Sequence, residues 1–195
     1  MKTVFFDVDT QIDFLYPAGA LYVPGAEKIV EQIAALNRFA GAHSIPLVST
    51  MDAHSEDDPE FKTWPPHCVV ATASQQKPEA TLLAKRVAVP NTPGLRDLEG
   101  AQQFLLEKQT FDCFTNVNLD ALLERFAAER YVVYGVVTEI CVKLAAFGLL
   151  KTGKRVELVS DAVRSLRDAD SSAMTAAFLA AGGAVTTVSA ATRVP

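Results

Sequence analysis

Apolar and polar positions alternate between two rhythms along this chain. Thr3–Val8 is a short apolar run that ends in acids, read as a strand. Ala26–Gly41 then places Ile29, Val30, Ile33, Leu36, Phe39 and Ala40 at helical spacing. Ile45–Thr50 reads as a second strand and Arg86–Val89 as a third, the latter in a region punctuated by Pro and Gly. Leu119–Glu129 has an amphipathic helical pattern, and Tyr131–Val137 is an unbroken apolar strand. Glu139–Lys151 is a helix closed by Gly153. Arg155–Ser160 is a strand, Ala169–Ala181 a helix ending at Gly182-Gly183, and Ala184–Ser189 the last strand. Strand and helix in alternation predict an α/β domain with a mainly parallel sheet of about six strands and helices on both faces. Runs such as Tyr131–Val137 lack strict alternation because a parallel strand is buried on both sides. No repeat, low-complexity segment or linker interrupts the pattern, so residues 1–195 read as one domain.

Composition narrows the partners. Hydrophobic residues make up 49% of the chain and charged residues 21%, which suits a globular domain with a full core. No apolar run approaches the roughly 20 residues that span a bilayer. The formal net charge is −5 and there is no basic run, so neither nucleic acid nor an anionic membrane is an expected partner. The start, MKTVFFDVD, carries acids where a secretion signal needs apolar residues. The 3 cysteines have no close pairing. Both features fit a reduced cytoplasm.

Chemistry concentrates beyond strand ends, where open parallel sheets bind ligands. Asp7, Asp9, Asp52, Thr138 and Asp161 all fall at or just after expected strands. Thr138 is a suitable N-cap, which would put Cys141 in the first turn of the following helix. There the helix dipole and free amides favour a thiolate, and nearby N–H groups could hold an oxyanion. An equally available reading makes Cys141 a small core residue. Cys113 and Cys68 read as packing residues. In DVDTQIDF, Asp9, Gln11 and Asp13 alternate after the first strand; an acid there serves as a general base or as a turn cap. Asp52 and His54 form a D-x-H pair, and His67 follows on a Pro-stiffened loop. One aspartate and two imidazoles suit zinc, manganese or iron, against the alternative of a solvated acidic loop holding Glu56, Asp57, Asp58 and Glu60. His43 reads as a cap or surface residue, and Lys108 taken alone as a surface lysine.

Together these pieces resemble the nicotinamidase branch of the isochorismatase-like cysteine hydrolases over nearly the whole chain. The motifs that carry the resemblance are Asp9-Thr10-Gln11-Ile12-Asp13-Phe14, then PAGALYVPGAE, then Asp52-Ala53-His54 with Trp64-Pro65-Pro66-His67-Cys68. Lys108 before Phe111 and Phe114 follows, and then Gly135 to Cys141. The resemblance implies an Asp9, Lys108 and Cys141 triad. It also implies an oxyanion hole from the backbone amides of Val137 and Cys141, and a cis peptide at Val136-Val137. Asp52, His54 and His67 match metal ligands. Glu60, seven residues before His67, matches the fourth ligand of some members, with Glu56, Asp57 and Asp58 as competitors. Phe14 and Trp64 would flank a substrate ring. The implied activity is metal-dependent amide hydrolysis, nicotinamide first, with one divalent ion, zinc before manganese or iron. A small-molecule amide and further copies of the chain are the implied partners. The chain departs from the family at Val70-Ala71-Thr72-Ala73-Ser74, where a glycine-containing turn is common; beside the metal segment, this loop bears on substrate shape. Competing readings are an amidase for carbamoyl or ureido groups, isochorismatase itself, a silent metal-binding protein and a cysteine redox sensor. Cys141 together with His54 and His67 speaks against isochorismatase, the intact triad against a silent protein, and the lack of a recognisable resolving cysteine against the sensor.

Overall fold

A computed structural model describes residues 1–95 and 98–193. Among them, seven parallel strands form one sheet in the order β3-β4-β2-β1-β5-β6-β7. The strands are β1 (Thr3–Val8), β2 (Leu47–Asp52), β3 (Arg86–Val89), β4 (Gln103–Lys108), β5 (Arg130–Val136), β6 (Arg155–Arg164) and β7 (Ala184–Thr186). The helices are α1 (Ile12–Leu15), α2 (Val30–Ala42), α3 (Leu119–Phe126), α4 (Lys143–Leu150), α5 (Asp168–Ala180) and α6 (Val188–Ala191). No described helix is long and apolar enough to cross a membrane.

Two cores cover the two faces. Phe6, Val8, Leu106, Val133 and Leu158 pack beneath α3, α4 and α5 through Leu119, Leu122, Ala145, Leu149 and Phe178. Phe5, Leu47, Val132 and Tyr134 pack on the other face against Leu15, Ile33, Leu36 and Ala40 of α1 and α2. Alternate residues of β1 serve opposite faces, as the two-residue period of a strand requires. Each fully buried aliphatic or aromatic side chain contributes about 1.5–3 kcal/mol.

Several boundaries differ from the sequence reading. The sheet has a seventh strand, β4, absent from the sequence reading, which took its last residue for a surface lysine; Lys108 is fully buried. The expected strand Ala184–Ser189 stops at Thr186, and Thr187 caps α6 by accepting from the Ala190 amide. α3 ends at Phe126, where Ala127 turns left-handed at φ 49°. Thr138 is no N-cap: its hydroxyl is buried without a hydrogen-bond partner, and Thr138–Val142 forms a wide π-type turn leading into α4. The β5 end needs Gly135, since a Cβ there would collide with the Val8 backbone of β1, and its φ of 119° suits glycine.

Candidate active site

The site lies along the carboxyl edge of the four central strands. Asp9 follows β1 directly, Asp52 ends β2, Lys108 ends β4, and Cys141 sits in the turn after β5. The register pairs Asp52 with Lys108 across neighbouring strands. Parallel pairing therefore brings together residues separated by over a hundred positions in sequence.

Lys108 is fully buried and holds two carboxylates. Its Nζ lies 2.8 Å from Asp9 Oδ2, forms a short contact with Asp52 Oδ1, and donates to the Thr110 carbonyl at 3.0 Å. Burial works against the ammonium, but Asp52 and then Asp9 outweigh it and push Lys108 well above the usual lysine value. The two acids respond differently. Desolvation pushes Asp9 above the ordinary carboxylate range, against the pull of Lys108. Asp52 is also desolvated, yet Lys108 and His54 bring it below that range.

Asp9 is fixed by more than charge. Its backbone is left-handed at φ 50°, its amide donates to the Thr50 carbonyl at 3.1 Å, and its Oδ1 accepts from the Thr50 hydroxyl at 2.6 Å. The Lys108 ammonium is near Oδ2 but outside hydrogen-bonding geometry, so among the described residues Oδ2 has no hydrogen-bond partner. Cys141, 7% exposed, faces this carboxylate. Its thiol is pushed well above the usual cysteine value, chiefly by burial, with Lys108 pulling the other way. The expectation that the turn after β5 would favour a resting thiolate is thus reversed: desolvation exceeds the dipole of one irregular turn. A protonated thiol then rests beside an acid that is ion-paired to Lys108. The Val136-Val137 peptide is cis, and the Val137 carbonyl accepts from the Ile140 and Val142 amides at 3.0 and 3.1 Å.

Beside this cluster, ligand atoms of Asp52, His54 and His67 all lie within 4.8 Å of one another, and the three residues are buried. Asp52 Oδ2 is 3.9 Å from His54 Nε2 and 3.8 Å from His67 Nε2, and Glu60 Oε1 is 3.8 Å from His67 Nε2. Each imidazole is held by its other nitrogen, His54 Nδ1 against Asp58 Oδ2 and His67 Nδ1 against the Pro65 carbonyl, both at 2.9 Å. Acceptors at both Nδ1 atoms leave both Nε2 lone pairs aimed at the same point. His54 Nε2 is buried with no hydrogen-bond partner. Burial resists charging His54, yet Asp52 and Asp58 raise it to about 8. The donor set fits a divalent ion with nitrogen and oxygen ligands. Of the four acids in the loop, Glu60 faces the cluster, Asp58 orients His54, and Glu56 and Asp57 point to solvent.

The alternating residues after β1 each hold a different part. Gln11 brackets the Asp52 backbone, accepting from its amide at 2.7 Å and donating to its carbonyl at 2.8 Å. Asp13 accepts from the Ala20 amide at 2.9 Å and the Cys68 amide at 2.7 Å, tying the segment before Leu21 to the residue after His67. Cys68 and Cys113 are buried, and desolvation raises both thiols far above the usual value.

Cys141, Asp52 and His67 open onto a cavity of about 120 Å³. Phe14, Trp64 and Phe111 line it with Leu21, Tyr22, Val23, Val137, Ile140 and Leu166. Trp64 and Phe111 meet edge to face at 6.5 Å, and Phe14 lies 5.7 Å from the His67 ring. Phe14 and Trp64 were assigned to the wall from their motifs; Phe111 and Ile140 stood in quoted motifs without a wall role, and Leu166 stood in none, since an apolar wall carries no chemical signature. Tyr22 was within reach, because it lies in the quoted PAGALYVPGAE stretch. None of Val70–Ser74 lines the cavity. That loop packs elsewhere, the Ser74 carbonyl accepting from the Asp13 amide at 3.1 Å, so its departure from the family pattern leaves the cavity wall intact.

Known proteins share this fold. Residues 3–190 match the family model described as the isochorismatase domain. A nicotinamidase of Saccharomyces cerevisiae is 25% identical over 199 residues, covering 86% of this chain and 90% of that protein. A pyrazinamidase of Pyrococcus horikoshii, solved in complex with zinc, is 25% identical with a TM-score of 0.79, covering 96% of this chain and 99% of that one. PnC1 of L. infantum, solved in complex with nicotinate, is 28% identical with a TM-score of 0.75, covering 96% of this chain and 93% of that one. The chain belongs to the isochorismatase domain family, and its relatives by sequence and by structure include nicotinamidases.

Proposed function

We propose that this chain is a cysteine amidohydrolase that converts nicotinamide and water to nicotinate and ammonia. The observation that carries the proposal is a cysteine beside the buried Asp9–Lys108 ion pair, at an aromatic-walled cavity. Asp9 takes the Cys141 proton through Oδ2 as Sγ attacks the amide carbonyl carbon. The C–N bond then breaks, and Asp9 returns the proton to the leaving nitrogen, giving ammonia and a thioester on Cys141. Water, deprotonated by Asp9, attacks the thioester and releases the acid with the thiol restored. Lys108 keeps Asp9 oriented and balances the charge that moves between Asp9 and the sulfur. The backbone amides of Val137 and Cys141 are the proposed donors to the oxyanion.

Asp52, His54, Glu60 and His67 are the proposed ligands of one divalent ion, with zinc favoured by the mixed imidazole and carboxylate set. Such an ion would supply Lewis acidity to a ring nitrogen and hold the ring in place. Asp52 belongs to both halves, one oxygen on Lys108 and the other facing the imidazoles. Ion and triad are therefore coupled through one side chain.

The lining also favours a neutral aromatic amide over a carbamoyl compound that bears its own carboxylate. Among the described residues no Lys or Arg lines the cavity, and Lys108 is committed to Asp9 and Asp52. The Tyr22 hydroxyl donates to Glu27 at 2.6 Å and accepts from the Gly25 amide at 2.8 Å, so both its roles are filled within its own loop. Side-by-side assays of nicotinamide and an N-carbamoyl amino acid test this. Release of ammonia from nicotinamide alone supports the proposal; preference for the carbamoyl compound overturns it.

A further inference from the structure

The cavity has one wall that comes from a different part of the fold. Leu166 lies in the connection between β6 and α5 and is 45% exposed, yet it lines the cavity that Cys141 occupies. Arg167 bonds forward to Asp170 and Ser171 at the start of α5, whereas Leu166 is tied to the turn after β5. The Leu166 amide donates to Glu139 Oε1 at 3.0 Å. Glu139 stands two residues before Cys141, in the turn that carries the nucleophile. Its second oxygen, Oε2, is buried without a partner. The carboxylate is thus drawn in and held by this contact rather than turned to solvent. A bond from a neutral amide to a carboxylate is stronger than one between neutral groups.

We infer that Glu139 is a positioning residue that sets the width of the cavity by holding Leu166 across it, and so limits turnover to single-ring amides. The inference rests on the proposed amidase reading. A cavity of about 120 Å³ has room for one ring; an engineered apolar cavity of roughly 150 Å³ takes up benzene. Releasing Leu166 opens the wall it forms while leaving Cys141, Asp9 and Lys108 in the chain unaltered.

The test compares Glu139→Ala, Glu139→Gln, Leu166→Ala and the Glu139→Ala/Leu166→Ala double variant in the full chain. The first readout is the rate at which N-phenylmaleimide modifies each cysteine, resolved by peptide mass spectrometry. Glu139→Ala and Leu166→Ala should each speed modification of Cys141 severalfold, with little further gain in the double variant. Glu139→Gln keeps an acceptor for the Leu166 amide and should restore the wild-type rate. Cys68 and Cys113 are buried and do not line the cavity, so they should not change. Equal acceleration at all three cysteines would mean general loosening and overturn the inference, as would an unchanged rate at Cys141. The second readout is kcat/KM for quinoline-3-carboxamide relative to nicotinamide, which should rise about tenfold in Glu139→Ala and in Leu166→Ala but not in Glu139→Gln. An unchanged ratio overturns the specificity role. If the wild type hydrolyses neither amide, the functional proposal fails, while the alkylation result still decides whether Glu139 holds the wall.

Discussion

Among the described residues two lysines, Lys77 and Lys108, are buried against aspartates, and they differ in what surrounds them. Lys77 lies 3.5 Å from Asp7 Oδ2 and donates to the Thr10 hydroxyl at 2.9 Å. Asp7 also accepts from Thr10 at 2.6 Å and from Asn37 and Ser49 at 3.2 Å each. Tyr134 closes the network by donating to Asn37 at 2.6 Å. Both Asp7 oxygens are thus occupied, and no cavity opens on them. Lys108 holds two acids instead of one, leaves Asp9 Oδ2 without a hydrogen bond, and sits behind a cysteine at a cavity. A buried charge pair alone does not mark a catalytic group, since burial demands pairing in either case. What differs at Lys108 is a second acid, a neighbouring cysteine and an opening to a cavity.

Substitutions can break this contrast. Cys141→Ala should lower kcat for nicotinamide by at least about 10⁴-fold while leaving bound metal, measured by elemental analysis, unchanged; retained turnover removes Cys141 from the mechanism. Lys108→Met strands Asp9 and Asp52 in the interior. It should cost about 3–5 kcal/mol in denaturant unfolding, and the molecules that remain folded should be inactive. Lys77→Met is the matched control: a loss of about 3 kcal/mol with kcat per folded molecule near wild type. If Lys77→Met loses turnover as Lys108→Met does, the two pairs are not functionally distinct. Asp58→Asn weakens the partner that orients His54 and should reduce zinc affinity about 10–100-fold in competition with a chromophoric chelator, and equal affinity would sink its supporting role. Tyr134→Phe removes one hydrogen bond from the Lys77 network and should cost about 1 kcal/mol with no change in activity.

The sequence carried much of this site because its groups are chemically distinctive. Asp9, Asp52, His54, His67 and Cys141 stand in short motifs at strand ends. Lys108 was legible only through resemblance. Alone it resembles a surface lysine, because its two partners come from β1 and β2, and spacing within β4 says nothing about them. The same limit hid β4 itself. Glu60 and Asp58 are two residues apart, and only the 3-10 turn at Pro59–Lys62 decides which faces His67 and which faces His54. Thr138 looked like a cap, but the π-type turn buries its hydroxyl instead. The Cys141 thiol was expected to be lowered by its helix, and burial, a tertiary property, reversed the direction.

The most direct test is release of ammonia and nicotinate from nicotinamide by the purified, zinc-loaded protein, measured beside Cys141→Ala. The account predicts stoichiometric formation of both products by the wild type and none by the variant. Equal rates from the two proteins, or no product from a zinc-loaded wild type whose Cys141 is free to react with an alkylating reagent, would contradict it.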